Sequence, residues 1–268
     1  MKVLRILTIS FFLSILLFLL IFKFDFRILN STKLFFKNFN FQGIECIDNK
    51  IYIISNLDHK IYKLSNDNEL KEFFDTTLIY KNNYIFSHIT SFYIEDNFFY
   101  GVNSMDKING LMLKVPVSIV KSNEKLSNLN YEITYLDTNI NHIEFYSKDK
   151  NIFIGHYGST KTNKNILEIK IDGKLLCKIK NKLSIQNLYF DKKTNNIFII
   201  SNLLKHYIGI IYKIPIKNIC NIKELNFFNI EKKEIIVSSF NEMEGYTECN
   251  NKKYFVYINK KDSYIYIE

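Results

Sequence analysis

From residue 43 to its end, the chain is filled with short segments in which apolar and polar residues alternate. Each segment is rich in Ile, Phe, Tyr and Val and is bounded by Asn, Asp, Lys or Gly. A period of two residues is typical of β-strands, whose successive side chains point to opposite faces of a sheet. Helical periodicity is nearly absent, so we predict an all-β domain.

The alternating pattern recurs five times. Each copy begins at a polar residue, runs through a strand and a tight turn, and closes with a second strand that ends on another polar residue. The first strands start near residues 43, 88, 142, 187 and 245, a spacing of roughly 45 to 58 residues. One copy alone cannot bury its apolar faces. We therefore predict a single β-propeller of five four-stranded blades, with six blades as the alternative.

Two prolines and the last copy refine this prediction. Pro116 and Pro215 lie at matching places in the second and fourth copies, each before a polar insertion. Because proline has no N–H group to donate to a central strand, each should end the third strand of its blade. The fifth copy ends after three strands, and we predict that residues 33–39 supply the fourth. That pairing would close the ring and leave no open sheet edge.

The N-terminus carries a different signal. Lys2 and Arg5 precede an uncharged apolar run over residues 6–22, long enough to span a bilayer. No small residues mark a cleavage site after this run, which favours an uncleaved signal anchor over a cleaved signal peptide. We predict an anchor over residues 1–28 and a propeller domain over 29–268. The preceding positive charges predict a single-pass membrane protein with a cytoplasmic N-terminus and a periplasmic or extracellular propeller.

The net charge of +9 does not come from one basic segment. Lysines are dispersed through turns, and Lys, Asn, Ile, Phe and Tyr are abundant together while Trp is absent. This pattern argues against a nucleic-acid partner.

The four cysteines are too far apart for a C-x-x-C motif. We expect buried free thiols at Cys46, Cys177, Cys220 and Cys249. The alternative is a disulfide between Cys46 and Cys249, which occupy similar places in the first and fifth copies and would be neighbours in a closed ring.

The polar residues that bound each copy predict a site. In a propeller blade, the first strand begins and the second ends on the same face, so these residues should meet around the central channel. The predicted pairs are Gln42 with Asn56, His88 with Asn103, His142 with His156, Gln186 with Asn202, and Glu244 with Asn259. From them we predict a ligand-binding site at His88, Asn103, His142, His156, Asn56, Asn202 and Glu244. The structural alternative is that the asparagines form turns and the histidines lie on the surface.

Carboxylates offer further chemistry. Glu242, Glu244 and Glu248 cluster in one segment, where they could bind a cation, act as a general base or remain solvated loop charges. Zinc could be held by the three histidines with Glu144 or Glu244, and calcium by the oxygen atoms of Glu45, Asn187 and Glu244. No nucleophile elbow, H-E-x-x-H motif or phosphate-binding glycine loop is present.

The first copy carries a family resemblance. Gly43-Ile44-Glu45, followed by Ile51-Tyr52-Ile53-Ile54-Ser55-Asn56 and then Lys60-Ile61-Tyr62-Lys63-Leu64, resembles the blades of gluconolactonase-like, arylesterase-like and strictosidine synthase-like propellers. The resemblance implies calcium dependence, with Glu45, Asn187 and Glu244 at the ligand positions.

Together these observations predict a membrane-anchored, extracytoplasmic propeller that acts as a binding or scaffold module for a small-molecule or protein ligand. The alternative is a metal-dependent hydrolase of the lactonase or esterase type, using calcium or zinc. The sequence leaves the choice between an enzyme and a binding module open.

Overall fold

The computed structural model describes residues 24–28, 32–75, 79–80, 83–84, 89–95, 97–103, 111–116, 132–135, 140–146, 152–157, 166–203, 208–230, 233–237 and 241–268. Almost all of these residues lie in β-strands or in the turns between them. Two strands precede the blades, β1 (Phe24–Ile28) and β2 (Thr32–Phe36). Blade one contains β3 (Phe41–Ile47), β4 (Lys50–Ser55), β5 (Lys60–Leu64) and β6 (Leu70–Asp75).

A small hairpin of β7 (Ile79–Tyr80) and β8 (Asn83–Tyr84) follows blade one. Blade two contains β9 (Ile89–Glu95), β10 (Phe98–Asn103), β11 (Leu111–Pro116) and β12 (Glu132–Tyr135). Blade three contains β13 (Ile140–Tyr146), β14 (Ile152–Tyr157), β15 (Ile166–Ile171) and β16 (Lys174–Asn181). Consecutive strands within each blade pair antiparallel.

Blade four contains β17 (Ile185–Asp191), β18 (Asn196–Leu203), β19 (Ile208–Pro215) and β21 (Lys233–Val237). Between its last two strands lie the helical turn α1 (Ile216–Ile219) and β20 (Glu224–Leu225). Blade five contains β22 (Glu242–Cys249), β23 (Lys252–Asn259) and β24 (Asp262–Ile267). Its fourth strand is β2, which pairs antiparallel with β24 from Thr32 opposite Ile267 to Phe36 opposite Ser263.

The five sheets form a closed ring. Each innermost strand, namely β3, β9, β13, β17 or β22, contacts the innermost strands of the two neighbouring blades. Apolar side chains fill the spaces between blades; Ile44 and Ile53 of blade one, for example, pack with Val256 and Ile265 of blade five. The all-β fold and the five-bladed arrangement are therefore confirmed.

Both prolines end the third strand of their blade, as predicted: Pro116 is the last residue of β11 and Pro215 the last of β19. The insertion after Pro215 carries α1 and then β20, which pairs in parallel with β16 of blade three. The insertion therefore joins two blades, which its polar sequence did not reveal.

The expectation of free thiols is wrong. Cys46 of β3 is bonded to Cys249 of β22, with 5.6 Å between their Cα atoms, and Cys177 of β16 to Cys220, which follows α1. Each disulfide joins adjacent blades, the first linking blades one and five and the second blades three and four. The first bond is the alternative that the matching positions of Cys46 and Cys249 suggested. The second depends on the insertion docking against blade three, which no spacing of cysteines indicates.

The last five residues of the segment predicted as an anchor form β1, which pairs in parallel with β21. The apolar run over residues 6–22 lies outside the described residues. In the part of the chain that the structure describes, no helix is long and apolar enough to cross a membrane.

Candidate functional site at the channel mouth

A β-bulge interrupts the innermost strand of every blade. In blade one, Phe41 lies opposite Ser55 and Gly43 opposite Ile54, so Gln42 has no residue opposite it. The same shift occurs in all five innermost strands, and the extra residue is polar each time: Gln42, Thr90, Asn141, Gln186 and Glu244. Bulges re-aim side chains and are frequent beside functional sites. The register therefore defines one ring of polar positions, which we call the bulge ring.

The bulge ring agrees only partly with the pairs predicted from sequence. Gln42, Gln186 and Glu244 occupy bulges, whereas His142 follows the bulge residue of blade three and His88 lies outside the described residues. A bulge adds a residue without changing the apolar alternation nearby, so the alignment of blades two and three by residue type was out of register.

A pair of carboxyl groups stands at the bulge of blade five. Glu244 is buried, with 4% of its surface exposed, and its protonated carboxyl donates a hydrogen bond to the partly buried Glu242. Gln186 of blade four donates from Nε2 to Oε1 of Glu242 over 3.1 Å. Burial raises the pKa of Glu244 well above its usual value, and the negative charge of Glu242 and the hydrogen bond raise it further. The pair therefore keeps one proton at pH values where an ordinary carboxyl group has lost it.

Asn202 fixes the strand between these carboxyl groups. Its Nδ2 donates to the carbonyl oxygen of Met243 over 2.9 Å, and its Oδ1 accepts from the backbone nitrogen of Met243 over 3.1 Å. Asn202 is itself buried. The side chain thus satisfies backbone groups left over at the bulge, and its role in the described structure is to position Glu242 and Glu244.

Two buried amide oxygens belong to residues that adjoin Glu242 and its hydrogen-bond partner Gln186 in sequence. Asn241 directly precedes Glu242, and Asn187 directly follows Gln186. Asn187 is 1% exposed and Asn241 4% exposed. Neither Oδ1 atom receives a hydrogen bond within the described part of the molecule. A buried acceptor without a donor is costly, so these oxygens point to a ligand that brings donors or positive charge.

The three predicted calcium ligands do not share one level of the channel. Glu244 is a bulge residue and Asn187 follows one, but Glu45 lies three residues beyond the bulge of its strand, about 10 Å farther along at the usual strand rise. Glu45 and Glu248 instead line a cavity of about 350 Å³ on the opposite face. Within the ranges described, no group of three His, Cys, Asp or Glu side chains could hold a metal ion.

The histidines of blade three occupy an unusual register position. His142 lies directly opposite His156. The same position in the other blades pairs Gly43 with Ile54, Ser91 with Val102, Asn187 with Ile200, and Gly245 with Val256. The side chains of both histidines, and that of Asn103, lie outside the part of the structure that is described, so their role as ligands stays a prediction.

Asn56 and Glu248 have hydrogen-bond partners in the structure. Asn56 is partly exposed, and its backbone nitrogen donates to the carbonyl oxygen of Asn40 over 2.9 Å. Glu248 is not part of the carboxyl pair of Glu242 and Glu244. It accepts a hydrogen bond from the hydroxyl of Tyr246 instead. The sequence predicted Gln186 in the ring of polar pairs but not among the ligand-binding residues, and it did not single out Asn241. The signal of Asn241 was its position immediately before Glu242.

Comparison with known proteins supports the fold. No family model and no curated protein matches the chain. Among solved structures, an engineered GH43 glycoside hydrolase with endo-xylanase and exo-arabinofuranosidase activity is 9% identical with a TM-score of 0.54, covering 84% of this chain and 49% of that one. The chain therefore spans about half the length of that enzyme.

Two further structures are similar at lower scores. One is described as a gluconolactonase, with 8% identity and a TM-score of 0.47 over 89% of this chain and 93% of that one. The other is virginiamycin B lyase from Staphylococcus aureus, with 13% identity and a TM-score of 0.41 over 89% and 74%. At these identities the likenesses concern the fold alone. The chain is a β-propeller, as its own sheets show.

Proposed function

We propose that the protein is a membrane-anchored, extracytoplasmic propeller that binds a cationic group, the ammonium or guanidinium of a small molecule or of a protein, at the mouth formed by Gln186, Glu242 and Glu244. One observation carries this proposal: the hydrogen-bonded carboxyl pair of Glu242 and Glu244 presents acceptor oxygens and one proton that a cation can displace. The buried Oδ1 atoms of Asn187 and Asn241 add two acceptors without a donor among the described residues. Ammonium and guanidinium groups are donors only and match such a site.

The mechanism of binding follows from the shared proton. A cation that enters the mouth replaces the proton of Glu244, which leaves to solvent, and both carboxyl groups are then ionised around the ligand. Binding therefore releases one proton while the pH is below the raised pKa of the pair. In that range the affinity should rise about tenfold per pH unit.

Two features support the proposed location. The apolar run over residues 6–22 has the length and the flanking charges of a signal anchor. Disulfides persist in oxidising compartments outside the cytoplasm, and this chain has two. We further propose that the pairing of β2 with β24 is the closure of the ring, which fixes the propeller directly to its leader.

The test uses the full chain in a non-ionic detergent, with agmatine as the probe because it carries both a guanidinium and an ammonium group. Calorimetric affinity should rise with pH in the native protein and fall at least tenfold in Glu244→Gln, since a charge-assisted hydrogen bond is lost. Glu69→Gln, an exposed carboxylate of blade one, is the matched control and should bind like the native protein. Agmatine affinity that is equal in Glu244→Gln and the native chain would refute the site.

A second candidate is the metal-dependent lactonase or esterase. It is favoured by the buried Oδ1 of Asn187, which accepts no hydrogen bond within the described residues, because calcium prefers oxygen ligands. Calcium or zinc chloride should then raise the unfolding temperature of the native chain, and Asn187→Ala should abolish the calcium effect. If neither metal shifts unfolding and none is found in the purified protein, the hydrolase is excluded.

Glycoside hydrolysis is less well supported. Glycosidases hold their two carboxyl groups about 5 Å or more apart to admit a sugar or a water molecule. Glu242 and Glu244 are directly hydrogen-bonded to each other. The likeness to the GH43 structure therefore carries no activity to this pair.

A further inference from the structure

A basic groove opens on the face opposite the bulge ring, where the turns of blades one and five meet. It has a volume of about 560 Å³ and is lined by Lys50, Lys63 and Lys71 of blade one and Lys252 of blade five. The two turns are joined where they line the groove, because Asn250 donates from Nδ2 to the carbonyl oxygen of Asn49 over 3.0 Å. Blades one and five therefore both contribute to its wall.

The lysines of the basic groove form no ion pairs with the carboxylates that the structure describes. Asp67 is the one carboxylate among its lining residues. None of the four lysines forms an ion pair with a carboxylate of the described residues, whereas lysines on other surfaces do, such as Lys60 with Glu72 at 2.6 Å. Four positive charges therefore converge on one cavity with a single opposing charge in its lining.

The register makes this arrangement unfavourable without a ligand. Lys63 of β5 lies directly opposite Lys71 of β6, so their side chains share one face of the sheet. Like charges in directly opposite positions destabilise a sheet. An anion bound between the two ammonium groups would reverse the sign of this interaction.

The groove lies on the face at which both N-terminal strands begin. β1 runs parallel to β21 of blade four, toward the bulge ring. Thr32, the first residue of β2, is the register partner of Ile267, which lines the groove. If the leader is anchored in a bilayer, the face with the basic groove is the face nearest to the membrane. Basic clusters beside a membrane segment attract anionic lipid headgroups.

We propose that the basic groove binds the phosphate groups of anionic lipid headgroups and so seats the propeller on the membrane with the bulge ring facing away. This inference rests on the proposed anchoring. The charges that bind are those of Lys50, Lys63, Lys71 and Lys252, and the interaction is electrostatic, so added salt should weaken it.

The test places the full chain in nanodiscs of phosphatidylcholine, or of equal parts phosphatidylcholine and phosphatidylglycerol, at low salt. Headgroup binding to the folded state should raise the unfolding temperature in the anionic discs. Lys63→Gln with Lys71→Gln should remove most of this increment. Lys217→Gln with Lys223→Gln, which removes the same charge from the exposed insertion of blade four, should retain it.

A second arm separates the lipid from a soluble ligand. Inorganic pyrophosphate is titrated into the detergent-solubilised chain, where loss of two lysines should weaken binding about thirtyfold. Pyrophosphate binding without any effect of phosphatidylglycerol would overturn the lipid as ligand. An equal loss in both double variants would overturn the groove as the site.

Failure of the anchoring itself has a different signature. A chain that does not enter nanodiscs of either composition is not anchored, and the lipid proposal falls with the anchor. A chain that enters both kinds of disc and unfolds at the same temperature in both keeps its anchor and refutes the groove.

Discussion

Replacing Glu244 with glutamine should stabilise the protein at neutral pH, although it removes a charged residue from the candidate site. Glu244 is buried, and its pKa in the folded state lies well above the usual value, first because of burial and then because of Glu242. The unfolded chain releases this proton near the ordinary carboxyl value, whereas the folded chain keeps it. Folding therefore takes up a proton, and the stability falls as the pH rises between the two pKa values.

The size of the effect follows from linkage. Between the unfolded and the folded pKa, the free energy of unfolding should fall by about 1.4 kcal/mol per pH unit. Glutamine is neutral at every pH and can donate from its amide to Glu242 as protonated Glu244 does. In Glu244→Gln this slope should disappear. At a pH between the two pKa values, the free energy of unfolding of the variant should be higher than that of the native protein by about 1.4 kcal/mol for each pH unit above the unfolded-state pKa.

Urea unfolding of the detergent-solubilised chain at several values between about pH 5 and pH 8 measures this slope, with disulfides intact. Glu69→Gln is the control and should reproduce the native pH dependence, because Glu69 is exposed. Native and Glu244→Gln proteins with parallel stability curves across this range would refute the buried, proton-sharing pair.

Three further changes test the fold around the site, each by denaturant unfolding. Asn202→Ala should cost about 2 to 4 kcal/mol, because two buried backbone groups lose their partner. Gly245→Ala should cost about 1 to 3 kcal/mol, since the new methyl lies 2.9 Å from Cγ2 of Ile44 and 3.2 Å from its backbone nitrogen. Replacing Cys46 and Cys249 with alanine should cost up to about 5 kcal/mol, since their bond spans 203 residues. An unchanged free energy of unfolding in any of these variants would contradict its assignment.

The sequence predicted the architecture because blades are local. Strand alternation and turns recur within each copy, and Pro116 and Pro215 end strands for a reason that depends on their own missing N–H group. The positions of β3 and β4 were therefore close to those observed. Contacts between blades could not be obtained in this way. The bond of Cys177 to Cys220 requires the insertion of blade four to dock on blade three.

The site was predicted less completely because it depends on register. A one-residue bulge decides which side chain reaches the mouth, and apolar alternation does not record it. Glu244 was found because it begins the fifth copy and lies in a segment with two other acids. Gln186 was placed in the ring but not among the ligand-binding residues, and Asn241 was not found, since an amide at a strand end is usually explained by a turn. Glu45 looked equivalent to Glu244 by residue type but lies deeper along the channel.

Counting the protons released when a cation binds tests the central claim most directly. Calorimetry of agmatine binding in two buffers with different ionisation heats, below the raised pKa of the pair, measures this number. We predict one proton released per agmatine in the native chain and none in Glu244→Gln. Binding heat that does not depend on the buffer, or no binding to the native chain at any pH, would contradict the proposal that the carboxyl pair is the binding site.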